Sequence, residues 1–141
     1  MRGNTVGSGL TCPAIISRTF RARPESVAEA RRFLAEFMAG SPVRPDAVVC
    51  LSELATNAIS HSRSARRGGR FTLTACRAPA VWRVEVHDAG GPWRPSHNRD
   101  GTGHRGLVIV DGLAARWGIE SRHRAGRVVW FEISDPLGAA P

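Results

Sequence analysis

Hydrophobic and polar positions along the chain change period several times, and each change marks an element. Ala14-Ile15-Ile16-Ser17-Arg18-Thr19-Phe20 is β-branched and roughly alternating, which predicts a short strand. Pro24-Glu25-Ser26 opens a helix, with proline at the first turn and an acidic residue at the N-terminus. Val27, Ala30, Arg31, Leu34, Phe37 and Met38 carry its stripe, and Gly40-Ser41-Pro42 ends it. A second helix starts around Pro45-Asp46, lays Val48, Leu51, Ala55, Ala58 and Ile59 on one face, and frays after His61-Ser62.

Period two then takes over. Arg66-Arg67-Gly68-Gly69 forms a turn, Arg70–Cys76 alternates, Pro79 breaks the run, and Val81–Asp88 alternates again. These two segments predict an antiparallel hairpin. Residues 90–104 are rich in Gly, Pro and polar side chains, which predicts irregular structure. Leu107–Ala114 reads as a third helix after Gly106, and 117–121 with 127–133 as a closing hairpin around Arg124-Ala125-Gly126. The order β-α-α-β-β-loop-α-β-β predicts an α+β fold: a two-layer sandwich of a mostly antiparallel sheet with three helices on one face.

The chemistry sits on this frame at regular spacings. Glu53, Asn57 and His61 follow one another at intervals of four inside an otherwise apolar helix. That spacing puts a carboxylate, an amide and an imidazole on one face. Asp88-Ala89-Gly90-Gly91 ends a strand, and Gly101-Thr102-Gly103-His104-Arg105-Gly106-Leu107 opens the third helix. The order suggests a nucleotide pocket: a metal ligand first, then a base reader, then a phosphate cradle.

Composition narrows the alternatives. The chain of 141 residues fits one domain, with 1–13 as a disordered leader, 14–134 as the domain and 135–141 as a loose tail. It carries no apolar run near the ~20 residues of a membrane span, and its N-terminus has no secretion-signal core. The net charge is +8 and arginine supplies all of the Lys+Arg total. The arginines are scattered, which favours compositional bias over a nucleic-acid stripe, yet a basic surface speeds encounter with an acidic protein. Cys12, Cys50 and Cys76 lack metal-type spacing and predict reduced structural thiols in a cytoplasmic protein.

Three segments carry a resemblance to a known family: Ser52–His61, Val84–Gly90 and Arg105–Ala114. Together they resemble the GHKL-type (Bergerat) ATP-binding fold shared by histidine kinases, gyrase-type ATPases and chaperone ATPases. Within it, the chain is most similar to the small anti-sigma-factor serine/threonine kinases of bacterial partner switching, over roughly 14–133. The resemblance implies ATP and Mg²⁺ as cofactors. It implies Asn57 as the metal ligand and Glu53 as the catalytic residue that orients the attacking hydroxyl, with His61 lining the pocket. Asp88 would accept from the adenine amine, with Gly90 allowing close approach and Trp93 in the lid. Gly101, Gly103, Arg105, Gly106 and Leu107 would form the phosphate loop.

The implied partners are an anti-anti-sigma (STAS-type) protein substrate, a sigma factor and a second copy of the chain, without direct nucleic-acid contact. Two positions depart from the family pattern: Pro92 replaces a glycine of the first glycine box, and His104 stands in the first slot of the second. They motivate an alternative, a non-catalytic regulatory binding module of the same fold with weak nucleotide binding.

Overall fold

The structure, a computed structural model, describes residues 4–5, 11–61, 68–90, 105–121 and 126–136. Its elements run β1 (Asn4–Thr5), β2 (Thr11–Cys12), β3 (Ala14–Arg21), α1 (Glu25–Phe37), α2 (Arg44–His61), β4 (Arg70–Ala78), β5 (Val81–Asp88), α3 (Arg105–Leu113), β6 (Arg116–Ser121) and β7 (Arg127–Ser134). Five strands form one antiparallel sheet in the order β3-β4-β5-β7-β6, and β1 pairs with β2 in a small ribbon.

Alternation along the strands sorts the sheet into two faces. Phe71, Leu73 and Ala75 of β4, Val84 and Val86 of β5, and Val129, Phe131 and Ile133 of β7 meet one core with Ala30 and Leu34 of α1 and Met38 at its C-cap. From α2 come Ala47, Cys50, Leu51, Leu54, Ala55 and Ala58, a seam at intervals of three and four. Val110 of α3 completes this layer. The expected α+β sandwich with helices on one face is therefore the observed architecture. No helix among the described residues is long and apolar enough to cross a membrane.

The opposite face is polar but far from open. Ser17 and Thr74 pair at 3.2 Å, and Thr19 and Thr72 at 2.8 Å. Next to them Arg83 donates to Glu85 and to Glu132, each at 2.8 Å, and its guanidinium lies 4.1 Å from the Trp130 ring centre. Arg116 bonds the other oxygen of Glu132 at 2.6 Å. A Cβ on Gly118 would come within 2.8 Å of the Trp130 ring, so this glycine leaves room for the indole to lie flat.

Several expectations change. Helix α3 begins at Arg105 rather than Leu107, and β4 continues past Cys76 to Ala78. Arg31 is exposed and takes no part in the α1 stripe, while Ser26 is buried. Val48 and Ile59 pack half-buried against the core as expected, and Ala47, Cys50 and Leu54 join them in the α2 seam. Part of the expected leader is paired as β1–β2. Asp135, at the start of the expected loose tail, is buried and donates its N–H to the Ala80 carbonyl.

The thiol expectation is corrected for Cys12 and Cys76 and holds for Cys50. Cys12 and Cys76 form a disulfide with Cα atoms 5.5 Å apart, and Cys50 is the free buried thiol. Spacing along the chain hid the bond, because its ends lie 64 residues apart. The β2–β4 packing that brings them together is not a sequence-local property.

Candidate functional site

Two elements of different period run the length of the helix–sheet sandwich and end together. Ser41, just before α2, donates to Asp135 at 2.6 Å, and Trp82 at the start of β5 donates to the same oxygen at 2.7 Å. Helix and strand therefore start from the same end. Thirteen residues of helix from Arg44 to Asn57 rise roughly 20 Å. Six residues of strand from Trp82 to Asp88 rise roughly the same. Since α2 packs on β5 and Asp88 lies on the helix-facing side with Val84 and Val86, Asn57 and Asp88 reach the same end of the same layer.

Asn57 belongs to the edge of the α2 seam, three residues beyond Leu54. It is 8% exposed, and its amide nitrogen has no hydrogen-bond partner among the described residues. Buried polar atoms are nearly always satisfied, so an orphan of this kind asks for a ligand. Glu53, one turn earlier, is half-buried and more accessible. Ser52 spends its hydroxyl on the Val48 carbonyl at 2.9 Å and is occupied within the helix.

Asp88 is held on both oxygens. Oδ1 accepts the Gly90 N–H at 2.6 Å, and Oδ2 accepts Arg127 Nη2 at 2.7 Å and Nε at 3.3 Å. An ionised carboxylate offers about four acceptor positions. Among the described residues three are used, two on Oδ2 and one on Oδ1. Gly90 (φ 72°) and Gly126 (φ 96°) both adopt the left-handed region. They lie back to back, because a Cβ on Gly90 would touch the Gly126 backbone and one on Gly126 would collide with the Asp88 carbonyl. That close approach sets where the Asp88 carboxylate sits.

Arg127 and Gly126 are the contributors that the sequence did not announce. A glycine before a strand looks like an ordinary hairpin turn. The register pairing of Asp88 with Arg127, across strands separated by α3 and β6, gives both residues their role.

Leu107 is buried at the start of α3, with Val110 one turn on. Helix α3 leans on β6, where Trp117 Nε1 donates to Asp111 at 2.8 Å. His61, Arg105 and Gly106 fall within helices α2 and α3, but their side-chain surroundings lie outside the described residues. Trp93, Gly101, Gly103, Pro92 and His104 lie outside them altogether.

A magnesium ion held chiefly by phosphate oxygens fits this donor set. Among the described residues there is no cluster of three or more His, Cys, Asp or Glu side chains able to cage a metal. A half turn of the Asn57 amide would put its oxygen where the unpartnered nitrogen lies, one hard ligand of the kind magnesium takes from protein.

The fold agrees with known proteins. Residues 20–133 match a family model described as a histidine kinase-like ATPase domain. No curated protein matches the chain. Among solved structures, the RsbU and RsbW domains of Rv1364c from Mycobacterium tuberculosis superpose with a TM-score of 0.68 at 19% identity. That match covers 86% of this chain and 32% of the other. The chain therefore spans about a third of the length of that structure, and the likeness is one of fold.

Proposed function

Because the chain belongs to the histidine kinase-like ATPase family, we propose that it binds Mg-ATP and phosphorylates a serine or threonine of an anti-anti-sigma protein, alternating with sequestration of a sigma factor. One observation carries the reading: a buried, unpartnered Asn57 amide with a half-buried Glu53 one helical turn before it, at the end of the sandwich where Asp88 lies. The likeness in fold to a chain that contains an RsbW domain supports the partner-switching part.

Each residue has a distinct task. Asn57 would give its side-chain oxygen to the metal. Glu53 would hold the acceptor hydroxyl in line and take its proton at the carboxylate, a positioning task more than a test of basicity. Asp88 would receive an adenine amine N–H on Oδ1, while Arg127 holds the carboxylate in orientation. Guanine, with a carbonyl at the equivalent place, would set oxygen against oxygen. Gly101, Gly103 and Gly106 would wrap the phosphates, with α3 offering free N–H groups from its start and Arg105 adding a charge-assisted contact. Bound magnesium would neutralise phosphate charge during transfer. His61 and Trp93 would line the pocket and its lid.

Calorimetry with Mg-ATP and Mg-GTP, followed by transfer of labelled phosphate to a purified STAS-type protein, tests the reading. ATP should bind and GTP should not, and Glu53→Ala should bind ATP yet fail to label the acceptor. Labelling that survives in Glu53→Ala would remove the assigned role. No heat with either nucleotide would favour a non-catalytic binding module of the same fold.

A further inference from the structure

Among the described residues, the large apolar side chains left exposed are Val49, Val108 and Ile109, at 42%, 66% and 37%. They stand on α2, which carries Glu53 and Asn57, and on α3, which packs beside it. Val49, Glu53 and Asn57 follow one another at intervals of four and form one ridge of α2. An exposed apolar side chain therefore stands one turn, roughly 6 Å, from Glu53.

Ile109 faces that ridge from α3. Asp111 reaches outward to Trp117 on the edge strand β6, and Ile109, two residues earlier, lies roughly 200° round the helix from it. Ile109 is thus turned toward α2, and Leu113, one turn on along the same ridge, packs against the core. The levels match as well. Ala115 donates its N–H to the Glu132 carbonyl, which lies roughly 17 Å along β7 from the end that pairs with Asp88. Going back from Ala115 to Ile109 covers roughly 9 Å and leaves Ile109 about 8 Å from that end. Glu53 lies roughly 6 Å from Asn57 at the same end, so Ile109 and Glu53 stand at nearly one height.

A hydroxyl that reaches Glu53 must arrive over these two helices, because the sheet backs the layer on its other side. We propose that Val49 and Ile109 are docking contacts for the phosphoryl acceptor, holding apolar side chains that flank its serine or threonine. This site presupposes the kinase reading and adds to it the chemistry of the acceptor. Acidic flanks would meet Glu53 as a like charge, and basic flanks would pair with the carboxylate that the hydroxyl needs. Apolar flanks leave Glu53 to the hydroxyl and gain by burial against Val49 and Ile109. Val108, further out on α3, extends the apolar surface toward the body of the partner.

The test is steady-state transfer of labelled phosphate from Mg-ATP to a purified STAS-type protein. Val49→Ser, Ile109→Ser and the double variant are compared with the wild type, and thermal melts check that each is folded. The double variant should raise the acceptor KM roughly tenfold, with kcat at saturating acceptor and calorimetric ATP affinity unchanged. Mass spectrometry should place the labelled residue beside apolar side chains. Their replacement by Ser should raise KM with the wild type and add little with the double variant. An unchanged acceptor KM in the folded double variant overturns the docking site while the kinase reading stands, even where capture of a sigma factor or of a second copy is lost. A labelled residue flanked by charged side chains alone overturns it too. If the wild type binds no ATP, or labels no STAS-type protein, the kinase reading itself fails and the site falls with it.

Discussion

Arg127 pairs with Asp88 across the two central strands, Nη2 2.7 Å from Oδ2, with side-chain exposures of 5% and 1%. The two residues are register partners at the ends of β7 and β5. A buried charge stripped of its partner costs about 3–5 kcal/mol. Asp88→Asn and Arg127→Met should each lower the unfolding free energy by about that much in urea titrations. The double variant should lose less than the sum, by more than about 1 kcal/mol. Strict additivity would mean that the pair is not an energetic unit.

Glycine is required at one strand entry and dispensable in a nearby helix. Gly126 has φ 96° and faces the Asp88 carbonyl, whereas a Cβ on Gly112 in α3 meets nothing within 4 Å. Gly126→Ala should therefore destabilise by about 2 kcal/mol or more, through strain and collision. Gly112→Ala should be neutral or stabilising by up to about 1 kcal/mol, from helix propensity alone. Thermal melts of the two proteins give the comparison, and a neutral Gly126→Ala would contradict the back-to-back packing with Gly90.

What the sequence revealed was local. The Glu53–Asn57 spacing, the alternation in β4 and β5 and the breaks at Gly40 and Pro79 all depend on neighbours within a few residues. They led to the right helices, the right hairpins and the α+β layering. What it concealed depends on non-local pairing. Arg83, Glu85 and Glu132 occupy the polar phase of their strands and look solvated, yet they are buried together because β7 lies beside β5. Arg83 and Glu132 are 49 residues apart. Arg127 has the same origin, since nothing near it points to Asp88.

That buried charge cluster gives stability an acid limb. Burial alone would raise the Glu85 pKa, but hydrogen bonds from His87 and Arg83, with their positive charges, outweigh it and lower the value from 4.5 to about 2. A depressed carboxylate stabilises the fold above its unfolded pKa and loses that contribution as pH falls through the folded one. The loss should fall between about pH 4.5 and pH 2. It should amount to on the order of 3 kcal/mol. Glu85→Gln should flatten this limb in unfolding titrations across that window, and an unchanged slope would show that Glu85 is not its source.

The cysteines offer a test with separate readouts of chemistry and stability. Burial, with the charges of Asp46 and Glu53 adding to it, pushes the Cys50 thiol up to about 11. At pH 8 that thiol is protonated and enclosed, so the oxidised native protein should release no rapid colour with a thiol reagent. Unfolding in denaturant should expose one thiol without reductant and three after reduction, as one free and two bonded cysteines require. Closing a loop across 64 residues is worth about 4 kcal/mol in the chain-entropy account. Reduction should therefore lower the melting temperature of the wild type and leave Cys12→Ser unchanged. Three thiols in the unreduced denatured protein would show the bond absent. An equal response of both proteins to reductant would place the stabilisation elsewhere than Cys12–Cys76.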